Sequence, residues 1–120
     1  MFSFLFAILK RPYLAIAYSL FLLGLCVMPS EELPGDVDDK LAHFIAFAGV
    51  SFLWLRASEN RILVIALSIL FGVAVEFIQG ALPVHFHRSF DWYDVLADGI
   101  GVIIGFLLFL VFRKIEKCLS

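Results

Sequence analysis

Polar side chains capable of acid, base and ligand chemistry form three short groups in an otherwise apolar sequence. The first group is Lys40 with His43, and the second is Glu76 with Gln79. Each pair is three residues apart, so its members share one face if the segment is helical. The third group begins at Arg88 and continues with Asp91, Asp94 and Asp98. Such side chains can bind a phosphate or carboxylate, accept hydrogen bonds from a polar ligand, or transfer protons.

A metal is one possibility, since imidazole and carboxylate ligands could come from His43, Glu76, Asp94, Asp98, His85 and His87. The spacing of these residues does not favour metal chemistry, and the sequence does not favour covalent chemistry either. No His-x-x-x-His or Glu-x-x-His pattern occurs, and His85 and His87 are a weak pair in a predicted loop. Ser89 lacks the strand–turn–helix setting of a nucleophile elbow. We therefore predict no metal and no cofactor.

The composition indicates that a membrane surrounds this chain. Hydrophobic residues make up 62% of the 120 residues, and the mean hydropathy is +1.00. Soluble domains are roughly 45–50% apolar, and one this small could not bury so much apolar surface. The net charge of −2 offers no basic patch, so nucleic acid is not an expected partner. By its length we interpret the chain as one domain, residues 1–120.

Four apolar segments predict an all-α fold, an integral membrane four-helix bundle. They cover residues 13–28, 41–55, 62–82 and 95–112. A helix needs about 20 residues to cross a 30 Å hydrocarbon core, and no segment alternates as a strand would. Lys10 and Arg11 precede the first segment as in a signal peptide. No small-x-small cleavage site follows, so we predict that this helix is retained.

The flanking cations predict the orientation of these helices in the cell (inner) membrane. With the N-terminus in the cytoplasm, only Lys40 and Arg88 lie outside, which is a strong positive-inside distribution. The cations predicted to lie inside are Lys10, Arg11, Arg56, Arg61, Arg113, Lys114 and Lys117. Both termini are then cytoplasmic. Cys26 and Cys118 lie on opposite sides, which excludes an intramolecular disulfide.

In this topology the three polar groups meet at the outer face, and no ionisable residue falls within the cytoplasmic halves of the predicted helices. Asp94 and Asp98 share a face with a row of small residues. That row is Ala97, Gly101 and Gly105. Small residues at this spacing let helix backbones approach closely, so we expect both aspartates to point into the bundle. Gly72 lies one turn before Glu76, so we expect the Glu76 carboxylate to point into the bundle as well.

A purely structural role is the alternative for these polar residues. Lys40 and Arg88 can pair with Glu76 and an aspartate, and Asp91 can cap the fourth helix. His43 alone fits an interfacial histidine with satisfied hydrogen bonds. A carboxylate within a transmembrane segment costs about 2.5–3.5 kcal/mol on insertion scales. We therefore expect the carboxylates within the helices to be paired, neutral or functional, and we favour a pocket.

In order and spacing these motifs resemble the VanZ-like family of small membrane proteins. The matching pieces are Asp39-Lys40-Leu41-Ala42-His43-Phe44, Gly72…Glu76-Phe77-Ile78-Gln79, Arg88-Ser89-Phe90-Asp91, Asp94-Val95-Leu96-Ala97-Asp98 and Gly101…Gly105. The resemblance covers roughly residues 36–110. His87 stands where the pattern often has Gly, and Asp98 stands where Asn is common.

The resemblance implies only a modest functional expectation. The founding member is associated with glycopeptide resistance, namely resistance to teicoplanin, and the family supplies no catalytic residues to carry over. We predict that the protein binds or modulates a cell-envelope component, a lipid headgroup or precursor, through an outward-facing pocket. Lys40 and Arg88 would contact phosphate or carboxylate, while Glu76 and Asp98 would accept hydrogen bonds.

Two other function classes stay open. The chain could be an enzyme acting on a lipid-linked extracytoplasmic substrate, with His43 or Glu76 as general base and Arg88 as the electrophilic stabiliser. It could instead be an assembly partner, with its glycine rows docking another membrane protein.

Overall fold

The computed structural model describes residues 2–27, 39–58, 60–83 and 92–119, and within these ranges every regular element is an α-helix. The helices are α1 (Phe2–Leu9), α2 (Pro12–Val27), α3 (Asp39–Ala57), α4 (Arg61–Ala81) and α5 (Trp92–Leu119). The all-α prediction is confirmed for the described residues. Helices α2 to α5 correspond to the four predicted segments. Helix α1 is an additional short element, separated from α2 by a turn at Lys10.

Local signals set the ends of α4, whereas α5 continues beyond its apolar segment. Asn60 caps α4, and its side-chain oxygen accepts a hydrogen bond from the Leu63 N–H at 3.1 Å. Pro83 follows the last turn and prevents the helix from continuing. Helix α5 extends from the predicted end at Phe112 to Leu119. The added residues are mostly Lys, Arg, Glu, Ile and Leu. Several of these have high helix propensity, so the helix can continue beyond its apolar stretch.

Two helices, α4 and α5, are long and apolar enough to cross a membrane. Their outward faces carry large apolar side chains such as Ile62, Leu70 and Leu107. Soluble proteins rarely leave apolar faces of this size exposed to water. Two further helices, α2 and α3, have shorter apolar stretches, Pro12–Cys26 and Leu41–Ala57. These features indicate a membrane protein with lipid in contact with the exposed helix faces.

Helix α3 lies at the centre of the described structure and packs along most of its length against α5. His43 meets Asp98 near the start of both helices, and Arg56 meets Glu116 near their ends, so α3 and α5 run in the same direction. Helix α4 contacts both. Its last turns lie beside the first turns of α3 and α5, so it runs in the opposite direction. An apolar core that includes Phe47 on α3 separates the two ends.

Glycines allow α3, α4 and α5 to approach closely. A Cβ on Gly101 would lie 2.6 Å from the Phe44 carbonyl oxygen, and one on Gly105 would overlap Ser51 Oγ and the Ala48 carbonyl. The Ser51 hydroxyl donates a hydrogen bond across this contact to the Val102 carbonyl at 2.9 Å. The third small residue of the row, Ala97, is also buried. The row therefore packs within this chain.

Candidate functional site

Five buried polar side chains meet at one end of the molecule, and we call them the polar cluster. The cluster consists of His43 on α3, Glu76 and Gln79 on α4, and Asp94 and Asp98 on α5. None of them is more than 9% exposed. They come from the start of α3, the end of α4 and the start of α5, which the helix directions bring together.

The His43 imidazole lies between the two aspartates of α5. Its Nδ1 is 2.5 Å from Oδ1 of Asp98, a distance at which the ring N–H donates to the carboxylate. Its Nε2 is 3.8 Å from Oδ2 of Asp94. The ring also stacks nearly parallel to that of Phe47, one turn along α3, with 6.5 Å between centroids. Asp98 and Phe47 together hold the imidazole in one orientation.

Glu76 brings a second helix to the same point. Its side chain is fully buried. One ring nitrogen of His43 and one carboxylate oxygen each of Glu76 and Asp98 all lie within 4.8 Å of one another. Gly72, one turn earlier on α4, lies against the Asp98 side chain, and a Cβ there would be 2.9 Å from Asp98 Cβ. The missing side chain at position 72 therefore lets the Asp98 carboxylate approach α4.

Gln79 connects the cluster to α2. Its Nε2 donates a hydrogen bond of 3.1 Å to the backbone carbonyl of Cys26, which is buried near the end of α2. Helix α2 corresponds to the first of the four predicted membrane segments. It also takes part in positioning the cluster, through a backbone carbonyl that carries no signal in the sequence.

Three of the predicted site residues lie wholly or partly outside the described residues. Arg88 and Asp91 fall between α4 and α5, as do His85 and His87. Lys40 lies in the first turn of α3, but its side chain is not described. The roles predicted for Lys40, Arg88 and Asp91 stay predictions.

A second buried charged group lies at the opposite end of the α3–α5 interface, and the sequence did not indicate it. Arg56 donates two hydrogen bonds to the Glu116 carboxylate, Nη1 to Oε1 at 3.0 Å and Nη2 to Oε2 at 2.9 Å. Its guanidinium carbon lies 5.0 Å from the centroid of the Phe112 ring. Both residues of the pair fall just beyond the predicted helix ends, at 55 and 112. The available signal was the i, i+4 spacing of Phe112 and Glu116, which places both residues on one face of α5 if the helix continues.

An apolar groove of about 690 Å³ runs along α3 and α5. Its walls include Leu41 and Phe44, which neighbour His43 along α3, and Leu108 and Ile115 toward the other end. All of its lining residues are apolar. The groove therefore suits a hydrocarbon chain better than a polar ligand.

Comparison with known proteins identifies the family. A family model described as VanZ/LLP1 matches residues 35–113, which is 79 of the 120 residues. The chain belongs to the VanZ/LLP1 family. The match contains the whole polar cluster, and it leaves out α1 and α2. The resemblance seen in the sequence motifs is thereby confirmed.

One curated relative is an uncharacterised protein of Schizosaccharomyces pombe. It is 26% identical over 123 residues, which cover 96% of this chain and 74% of the relative. Its description assigns no activity. No solved structure matches the chain.

Proposed function

We propose that this VanZ/LLP1 protein binds a polar headgroup, that of a membrane lipid or of a lipid-linked envelope precursor, at the polar cluster. The observation that carries the proposal is the convergence of five polar side chains from three helices in a buried position. Buried charges are poor stabilisers, because apolar replacements are often neutral or stabilising. A cluster whose only role was stability would therefore be costly to retain in a membrane.

The proposed topology is multi-pass in the cytoplasmic (inner) membrane, with α2 to α5 crossing and both termini inside. The described cations support it. Arg61 and the basic residues of the last turns of α5 lie at the end opposite the polar cluster, as do Lys10 and Arg11 before α2. A cytoplasmic excess of cations is the usual arrangement. The cluster then faces the outer leaflet.

Within this site the acidic residues accept hydrogen bonds from hydroxyl, amide or amine groups of the ligand. Glu76 and Asp98 supply carboxylates. Lys40, in the first turn of α3, and Arg88, four residues before α5, would contact a phosphate or carboxylate. The apolar groove along α3 and α5, whose walls include Leu41 and Phe44 in the first turns of α3, would hold part of an acyl chain. A headgroup at the cluster and a tail in the groove together describe an amphipathic lipid.

The test is headgroup binding by purified protein. Wild-type protein in detergent is mixed with a panel of lipids of equal chain length and different headgroups, and bound lipid is identified by native mass spectrometry. We expect one headgroup class to be enriched, and Glu76→Gln and Asp98→Asn to weaken that enrichment by at least about tenfold. Glu116→Gln is the matched control, a carboxylate removed at the opposite end.

Retention of every headgroup alike by wild type and variants would contradict this proposal. In cells, deletion should change lipid content or sensitivity to envelope-directed antibiotics such as teicoplanin. The same point variants should reproduce that change at normal protein levels. Loss of the protein itself in these variants would support a structural role instead.

A second candidate, an enzyme acting on a lipid-linked substrate, is favoured by the His43–Asp98 hydrogen bond. A carboxylate that orients an imidazole is a common arrangement for a general base. His43 then removes a proton from the attacking group. Lipid-linked precursors should be chemically altered by wild type and unaltered by His43→Gln. Unchanged precursor masses with active, folded wild type would remove this candidate.

A third candidate, an assembly partner docked through the glycine row, gains no support from the packing. Gly101 and Gly105 lie against α3 of the same chain.

A further inference from the structure

We propose that His43, Glu76 and Asp98 bind a first-row divalent cation such as Mn²⁺, Fe²⁺ or Zn²⁺. This goes beyond headgroup binding and does not depend on it. One ligand-type atom from each residue lies within 4.8 Å of the other two, although the residues come from three different helices. The sequence predicted no metal, because its histidines and carboxylates show no metal-ligand spacing within any one helix. The site is assembled only by tertiary packing.

The distances are close to those of a bound ion. Metal–nitrogen and metal–oxygen bonds in zinc sites are about 2.0–2.2 Å, so two ligand atoms on one tetrahedral ion lie about 3.4 Å apart. A spacing of up to 4.8 Å between these ligand atoms closes with small side-chain rotations. His43 Nδ1 and Asp98 Oδ1, which are 2.5 Å apart in a hydrogen bond, would separate by about 1 Å to bind one ion. A neutral imidazole offers a nitrogen to the ion, and any proton held at that nitrogen is released to solvent.

The donor set indicates the class of ion. One imidazole with two carboxylates suits first-row divalent ions, since imidazole is a common ligand of zinc and iron and carboxylates suit manganese. Calcium and magnesium prefer all-oxygen sites. All three donor residues are at least nine-tenths buried, which excludes bulk water and strengthens the electrostatic attraction.

Residues next to the three ligands would help to orient them, as the residues around the ligands do in metalloproteins. Asp94 places a carboxylate oxygen 3.8 Å from His43 Nε2, and Phe47 stacks on the ring. Gly72 leaves room for the Asp98 carboxylate against α4. Such groups orient the coordinating atoms before the ion arrives.

Charge gives the cation a role at this position. The described residues of the cluster contribute the carboxylates of Glu76, Asp94 and Asp98 and one imidazole. A divalent ion would balance most of that negative charge in a low-dielectric setting. A cationic side chain from the residues outside the described ranges, Arg88 or Lys40, is the competing source of positive charge. The experiment below separates the two.

The experiment is a titration of the full-length protein with metal alone. The background carries Cys118→Ser, His85→Ala and His87→Ala, and a tag without histidine, so that the exposed thiol and the loop histidines cannot bind the probe. Free Mn²⁺ is followed by electron paramagnetic resonance, and bound Zn²⁺ by elemental analysis after dialysis. We expect about one ion per chain, lost or weakened at least about tenfold in His43→Gln, Glu76→Gln and Asp98→Asn.

Glu116→Gln again serves as the control and should bind as the background protein does. Where a cluster variant does not fold, the background protein alone decides: its Tm should rise with added Mn²⁺ or Zn²⁺ and fall on chelation. Unchanged Tm and no bound ion would overturn the proposal and favour Arg88 or Lys40 as the counter-charge. Binding retained by the three folded variants would overturn it too. Since no lipid is present, this outcome is independent of the headgroup test.

Discussion

The two ends of the α3–α5 interface both bury charged side chains, yet they are built differently. At one end Arg56 and Glu116 form a two-point ion pair, and the guanidinium also lies over Phe112. At the other end the described side chains bring His43 together with the carboxylates of the polar cluster. The first arrangement balances one cation with one anion. Among the described side chains, the second has three carboxylates and one imidazole.

This difference separates a structural contact from a candidate site. The Arg56–Glu116 pair joins two helices through two hydrogen bonds between its own charged groups, so helix packing explains it. The polar cluster draws on three helices, and Gln79 ties it to a fourth. Its geometry leaves three different donor residues around one point. Changes at the Arg56 end should therefore affect stability, and changes at the His43 end should affect binding.

The largest expected effect is at the ion pair. Arg56→Ala leaves the Glu116 carboxylate partly buried without its guanidinium, and should lower the free energy of unfolding by about 3 kcal/mol. The measurement is denaturant unfolding in detergent micelles. The double variant Arg56→Met with Glu116→Leu should regain most of that loss. Failure of the apolar pair to restore stability would show that the ion pair has a role besides packing.

A smaller loss is expected between the two ends. A methyl group at Gly105 would meet Ser51 and the Ala48 carbonyl, so Gly105→Ala should push α3 and α5 apart and cost about 1–3 kcal/mol. On the same helix, a methyl group at Gly99 would have no atom of the described residues within 4 Å, so Gly99→Ala is the matched control. It should be neutral or stabilising by up to about 1 kcal/mol. Equal effects at both positions would contradict the close α3–α5 contact.

The contact between the cluster and α2 should contribute less. Gln79→Leu removes the hydrogen bond to the Cys26 carbonyl and should lower the free energy of unfolding by about 1 kcal/mol. Its effect on headgroup binding should be smaller than that of Glu76→Gln. Thermal unfolding and lipid binding measured on one preparation compare the two readouts. Stronger loss of binding than of stability would place Gln79 among the ligand-contacting residues.

The smallest change in stability is expected at the centre of the cluster. Asp98→Asn keeps the shape of the side chain and a polar atom facing His43. Its free energy of unfolding should stay within about 1 kcal/mol of wild type, while metal binding falls. Circular dichroism melting alongside the metal titration tests this. A large loss of stability with Asp98→Asn would make the cluster a structural contact like that at Arg56.

Much of the helical architecture could be predicted, since its signals are local. Hydropathy located α2 to α5 within a few residues at most ends. The exception is the end of α5, where the apolar run stops at Phe112 and the backbone continues as helix to Leu119. That extension brings Glu116 beside Arg56. Because the predicted helix ended at Phe112, the ion pair could not be predicted.

The sequence by itself determined the helical segments, their affinity for lipid, the grouping of polar residues toward one end, and the family motifs. Each of these depends on composition or on spacing along one helix, which the chain carries locally. Only the tertiary structure decided that Asp98 bonds His43, that Glu76 reaches the same point, and that α2 supplies a carbonyl to Gln79. Those contacts depend on the rotation and axial register of separate helices. Close packing at Gly72, Gly101 and Gly105 sets both, and no single segment specifies them.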